Sequence, residues 1–237
     1  MTYDQPTMKR FLSTLFILLV SVLPSRAQVG LHRNTFAFGG NIGIDHSQIS
    51  VSPKIKQGMY LGKTFGITAR YTSEKYFFLI CAAQIEANFV ERGWREEIED
   101  GTGNEYNRRL TYVEIPFFAH LGIGREARGV QGFINLGPQI GFLIRDKENY
   151  GGMEPWDPSK RPNNVNVQYG KEIDHKLEYG ITGGLGIELK TAIGNFIIEG
   201  RYYFGLSDIF GNTKTDYFGR SANTSIYAKV AYMFEIR

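Results

Sequence analysis

Residues 108–124 read RRLTYVEIPFFAHLGIG. The odd positions Thr111, Val113, Ile115, Phe117, Ala119, Leu121 and Ile123 form one apolar face. The even positions carry Tyr112, Glu114, Pro116 and His120. Apolar residues returning at every second position describe a strand, because successive side chains point to opposite faces of a sheet. This strand must leave its apolar face somewhere dry while giving a carboxylate, an imidazole and a proline a home on the other. A lipid-facing exterior around a polar interior satisfies both demands.

The same period recurs along the chain. Ile226, Ala228, Val230, Tyr232, Phe234 and Ile236 alternate with Ser225, Tyr227, Lys229, Ala231, Met233 and Glu235. From Phe77 to Phe89 the odd positions are apolar, and Gln84, Glu86 and Asn88 lie between them. Leu177–Lys190 alternates apolar residues with Glu178, glycines, Thr182 and Glu188, and Phe196, Ile198, Tyr202 and Phe204 stand opposite Glu199 and Arg201. Noisier alternation runs over Thr35–His46, Gln57–Tyr71 and Gly132–Arg145, which makes eight strands. Each is long enough for the roughly 9–11 residues that a tilted membrane-crossing strand needs, whereas ordinary strands peak at about 5–6.

The connections sort by end. Ser47–Lys56, Glu91–Asn107, Asp146–Lys176 and Ser207–Asn223 lie at one end, and the tighter Thr72–Lys75, Arg125–Gln131 and Thr191–Asn195 at the other. Long external loops, short periplasmic turns and an even strand count describe an up-and-down transmembrane barrel. A soluble barrel or sandwich would reverse the faces, and alternation alone does not decide which face is outside. Strand length, loop asymmetry and a polar face of glycines and complementary charges favour the membrane version. The expected fold is therefore all-β, an eight-stranded antiparallel barrel.

Composition agrees. Hydrophobic residues make up 42%, yet the mean hydropathy of −0.25 argues against a bundle of membrane helices. The 28 glycines, 14 tyrosines and 17 phenylalanines suit strands with tight bends. The first residues read as a secretory signal: Lys9 and Arg10, an apolar run from Phe11 to Pro24, then Ser25-Arg26-Ala27 as the cleavage site. Met8 is an alternative start, because residues 1–7 add nothing to that signal. Residues 1–27 are thus expected to be removed and 28–237 to form the barrel. The signal carries three basic residues and one acidic, so its loss takes the formal charge from +3 to +1. Such a charge gives no footing for nucleic-acid binding. Cys81 is the single cysteine, so no intramolecular disulfide forms.

An eight-stranded barrel is just wide enough for side chains to fill it. Glu86, Glu114, Glu199, Arg201 and Lys229 are the expected charge network of the lumen, with Arg201 and Lys229 as candidate partners for Glu114. Buried charges must be paired, so this network is expected to be structural. Pro116 cannot donate to a ladder, and Pro138 comes nearly opposite it. A bulge or break is expected there, with a bulge reconciling their facings. Trp94 and Trp156 fall in expected outer loops and are candidate contacts for a partner, or packing within their own loops.

Catalytic and metal chemistry finds little support. His46, His175, Ser207 and Asp208 all belong to the outer end, but nothing in their spacing demands a triad. EEIEDGTGNE (Glu96–Glu105) concentrates acids that could attract Ca²⁺ or cation-bridged lipopolysaccharide, yet it lacks the ordered ligand spacing of an EF-hand loop. No catalytic residue, metal site or cofactor is assigned.

YNRRLTYVEIPFFAHLGIG, preceded by QIEANFVERGW and followed by GFINLGPQIGFLI, resembles the PorT-like outer-membrane β-barrel family of the Bacteroidetes. YGITGGLGIEL and IIEGRYYFGLSDIF are similar to that family's glycine-rich and R-Y-x-x-G-L strands. The resemblance covers the whole of 28–237, and its E-I-P segment with the following G-P strand is the specific part. It implies an eight-stranded barrel in a Gram-negative outer membrane and, from the family's founding member, an accessory part in secretion across it; most members have no assigned activity, and no enzymatic activity is expected of this chain. The expected partners are outer-membrane lipid and lipopolysaccharide, with other envelope or secretion proteins added by the resemblance. A narrow pore for small solutes is the main alternative, and a loop-borne hydrolase a weaker one.

Overall fold

A computed structural model describes residues 34–76, 79–124, 128–152, 155–160, 166–214 and 216–236. The expected signal segment 1–27 lies outside them. Eight strands close on themselves in chain order: β1 (Thr35–Ser52), β2 (Gln57–Tyr76), β3 (Leu79–Glu96), β4 (Glu105–Gly124), β5 (Gly129–Gly151), β6 (Leu177–Lys190), β7 (Asn195–Gly205) and β8 (Arg220–Ile236). Every neighbouring pair is antiparallel, including β1 with β8, so the barrel has no free edge through its wall.

The faces are those of a membrane barrel. Leu185 is 71% exposed and Ile198 69%, while Glu114 on the opposite face is 2% exposed. Apolar side chains ring the outside, and Asn, Gln, Thr, Glu, Arg and Lys fill the inside. Such an exterior is stable only in a medium that does not demand hydration of Leu, Ile and Phe, which is the hydrocarbon of a bilayer.

The strands reach further than the alternation suggested. β3 continues to Glu96 and β5 to Gly151, so the connection after β3 shrinks to 97–104 and that after β5 to 152–176. β1 and β2 meet through 53–56 alone. The charged stretch after Phe89 reads as loop because it leaves the apolar band, but a strand outside the membrane no longer needs an apolar face. The asymmetry between ends remains: 77–78, 125–128 and 191–194 connect at the other end.

The two prolines correct one expectation. The register between β4 and β5 is the same on both sides of them, with Pro116 opposite Gln139 and Ala119 opposite Leu136. Pairing lapses at Phe117 and Phe118, opposite Pro138 and Gly137, and between β3 and β4 it lapses opposite Pro116. Each proline removes a donor from one ladder without inserting a residue. Because Pro138 stands across from Phe117 rather than Pro116, the two naturally face opposite ways: Pro116 is buried and Pro138 exposed. No bulge is needed there. The register shift between these strands lies instead at Thr111/Tyr112, where Ile144 is the additional residue.

Candidate functional site

The lumen is filled in layers. Near the short-turn end, Arg70 ion-pairs with Glu188 and donates from Nε to Gln84 at 2.8 Å. His120 Nδ1 and Asn135 Oδ1 lie 2.8 Å apart, and the imidazole packs on Phe133 at 4.8 Å between centroids.

The middle layer holds four of the five expected network residues. Arg201 grips Glu86 with both terminal nitrogens at 2.8 and 2.6 Å, and also donates to Glu199 at 2.7 Å. Lys229 donates to Glu86 at 2.9 Å, and Asn135 to Glu199 at 2.7 Å. Two cations thus face two carboxylates, and amides from Gln84 and Asn88 complete the shell of Glu86. The glycines of β6 make room for this. A Cβ on Gly184 would come 2.7 Å from Cγ of Arg201, and one on Gly186 2.5 Å from the Phe133 ring. The glycine-rich strand is the flat wall against which the large lumenal side chains rest.

Glu114 belongs elsewhere, which corrects the expected pairing with Arg201 or Lys229. Its partner is Arg92, which also donates to Glu178 at 2.7 Å and contacts the Tyr227 hydroxyl. The Arg92 guanidinium lies 4.4 Å over Tyr203 and 5.3 Å from the centre of Tyr112. Asn223 donates to the other oxygen of Glu178 at 2.8 Å, and Ser225 reaches Asp45 at 3.3 Å. Arg92 falls within the expected connection Glu91–Asn107 because the apolar face ends at Phe89. Its parity continues Gln84, Glu86 and Asn88, and that was the available signal. Arg70, Glu178 and Glu188 likewise sit on the polar faces of their alternating strands.

Above this layer the mouth is closed. Ile49, Trp94, Tyr106, Leu110, Phe210 and Phe218 form a buried cluster, joined by Ile173 and Ile209 from the long connections. Arg108 runs through it, stacking near Trp94 and Phe210 at 5.7 and 5.6 Å. Its Nε donates to Asp146 at 2.8 Å, and Nη2 to the Lys171 carbonyl at 2.6 Å. Trp94 is therefore not a loop contact. It lies on the lumenal face of β3, 1% exposed, because the strand runs on past the membrane. Trp156 does lie in a connection, half-buried against Tyr106, Tyr150 and Tyr169 with centroids 4.7–6.0 Å apart.

The two long connections clamp one another. Asp174 and His175 donate backbone N–H groups to the Ile209 carbonyl at 3.0 and 3.1 Å. The Asp174 carboxylate accepts the Gly211 N–H at 2.7 Å and lies 3.3 Å from Lys171. The Gly211 N–H, with Lys171, holds that carboxyl below its usual range. A lowered folded-state value contributes stability that is present above the ordinary carboxylate value of 3.8 and is lost as pH falls through the lowered one. Asp174→Asn is expected to lower the protection of the Gly211 amide, relative to its intrinsic exchange rate, several-fold at pH 7, and acidification of the wild type through that lowered value is expected to do the same. Exchange measured by mass spectrometry checks both.

The remaining candidates stay apart. Ser207 bonds the Tyr179 backbone, Asp208 takes the Ser221 N–H and the Asn212 amide, and no hydrogen bond joins them to His46 or His175 among the described residues. In the acidic connection, Glu97 and Glu99 face Lys56, Glu105 faces Arg95, and Glu96 points inward to Gln168 and Tyr169. Among the described residues no group of three or more His, Cys, Asp or Glu is placed to hold a metal ion.

Solved structures similar to this chain are outer-membrane barrels. Ail, the attachment invasion locus protein of Yersinia pestis, is 12% identical over 84% of this chain and 99% of its own, with a TM-score of 0.36. OprG from Pseudomonas aeruginosa is 11% identical over 85% and 96%, with a TM-score of 0.44. Neisserial surface protein A is 12% identical over 84% and 97%, with a TM-score of 0.39. No curated protein matches the chain. The model of the outer membrane protein beta-barrel domain matches residues 26–211, and with a closed ring of eight strands, apolar outside and charged within, the chain belongs to that family and is an outer-membrane β-barrel protein.

Proposed function

We propose that the protein is a non-enzymatic module of the outer membrane, structural in its wall and interactive at its outer end. The observation that carries this reading is the filled lumen: three heights of ion-paired side chains lie beneath an apolar cluster to which the outer connections contribute. A lumen so occupied leaves the outer rim as the surface that meets other molecules, with Tyr150 and the half-buried Trp156 in it. The resemblance to PorT-like barrels extends the reading to an accessory role in protein secretion, the partner being another envelope protein. Export through a signal peptide cleaved after Ala27 belongs to the same proposal.

The test has two parts. The protein from the outer-membrane fraction is expected to run at different positions on a gel before and after boiling. In planar bilayers the folded form is expected to show no steady conductance. A stable open conductance would instead favour the narrow-pore reading, and loss of secreted proteins on deletion of the chain would support the accessory role.

A further inference from the structure

The sequence Arg145-Asp146-Lys147-Glu148 alternates sign, and the register separates the signs by face. Between the pairs Thr111–Arg145 and Tyr112–Leu143, Ile144 is the additional residue on β5. Had β5 alternated strictly through Ile144 with no shift of register, Arg145 would turn inward. With the shift, Asp146 and Glu148 point inward to Arg108, while Arg145 and Lys147 stand exposed on the outer face. A bulge that re-aims a side chain in this way is a built feature. Lys147 then lies directly across the ladder from Arg109, a like-charge pair of the kind that destabilises a sheet. Arg109 has Glu91 at 3.7 Å and Tyr60 beside it. Arg145 and Lys147 have no ion pair or side-chain hydrogen bond among the described residues. Immediately below them the apolar band resumes with exposed Ile144 and Phe142.

Three cations gathered against one carboxylate, at the boundary where the lipid-facing band ends, match a phosphate at headgroup level. We propose that Arg145 and Lys147, with Arg109 beside them, bind the phosphate groups of a lipid A-type glycolipid in the outer leaflet, its acyl chains lying along Phe142 and Ile144. The inference rests on the reading of the long-loop end as the outer one, and it deepens that reading by naming a contact on the barrel's flank. Arg and Lys held close to a membrane surface each strengthen binding to anionic lipid, and two together correspond to roughly tenfold or more.

The full chain and its Arg145→Gln/Lys147→Gln variant, each shown folded by the boiling-dependent gel shift, are titrated in detergent with lipid A and with dephosphorylated lipid A. A wild type without that shift would count against the barrel reading, not this one. The wild type is expected to bind lipid A roughly tenfold more tightly than the variant, and both are expected to bind the dephosphorylated lipid equally weakly. The charge-keeping Arg145→Lys/Lys147→Arg variant is expected to bind as the wild type does. Equal binding of lipid A by wild type and the Gln variant would overturn the proposal. So would equal binding of the two lipids by the wild type, which decides the matter even if the variant fails to fold. Inorganic phosphate competing as well as lipid A would overturn the lipid assignment.

Discussion

Replacing Arg92 with methionine is expected to destabilise the folded barrel by about 4–5 kcal/mol, at the upper end for breaking a buried ion pair. Arg92 is 1% exposed and is the shared partner of Glu114 and Glu178. Removing it leaves Glu114 with the Tyr227 hydroxyl at 3.2 Å and Glu178 with the Asn223 amide at 2.8 Å, and Asp45 is in the same layer. Neutral donors offset only part of the desolvation of two carboxylates. Methionine keeps the stem's contact with the Tyr203 ring, so the loss reports charge more than packing. The triple variant Arg92→Met/Glu114→Gln/Glu178→Gln is expected to recover most of it, because no unpaired charge remains. Urea unfolding from detergent micelles measures both. A triple variant no more stable than the single one would show that geometry, not charge, is what Arg92 provides.

This layer also shows where the sequence could be read and where it could not. Alternation locates Glu86, Glu114, Glu199, Arg201 and Lys229 on inward faces, since facing depends only on parity within one strand. Which acid meets which base depends on register and on the path around the barrel. Glu86 and Arg201 lie on β3 and β7, and no local pattern connects them. Arg92 and Trp94 are not legible as lumenal residues because the apolar outer face stops at the membrane while β3 continues, so the signal for strand ends before the strand does. Pro116 and Pro138 mark the lapse in pairing but not the absence of a bulge beside it. Their opposite facings follow from standing one position apart across the ladder, which the sequence does not reveal without the register. The outward turn of Arg145 has the same origin, since a bulge at Ile144 has no composition of its own.

Arg201→Ala is expected to cost about 3 kcal/mol, less than the loss at Arg92, and to leave the barrel electrically closed. The smaller figure follows from what stays behind. Glu86 keeps Lys229 at 2.9 Å with Asn88 and Gln84, and Glu199 keeps Asn135 at 2.7 Å. The layer passes from two cations against two carboxylates to one against two, so a cation still faces the most enclosed acid. Closure should persist because the Arg92 layer and the aromatic mouth lie above the space that the guanidinium vacates. Arg201→Lys preserves the charge but not the two-pronged grip on Glu86, and should lose about half as much. Paired unfolding and planar-bilayer measurements separate the readings. Lower stability with a silent bilayer fits a structural network, whereas unchanged stability with a new steady conductance would make Arg201 a gate and the protein a narrow pore.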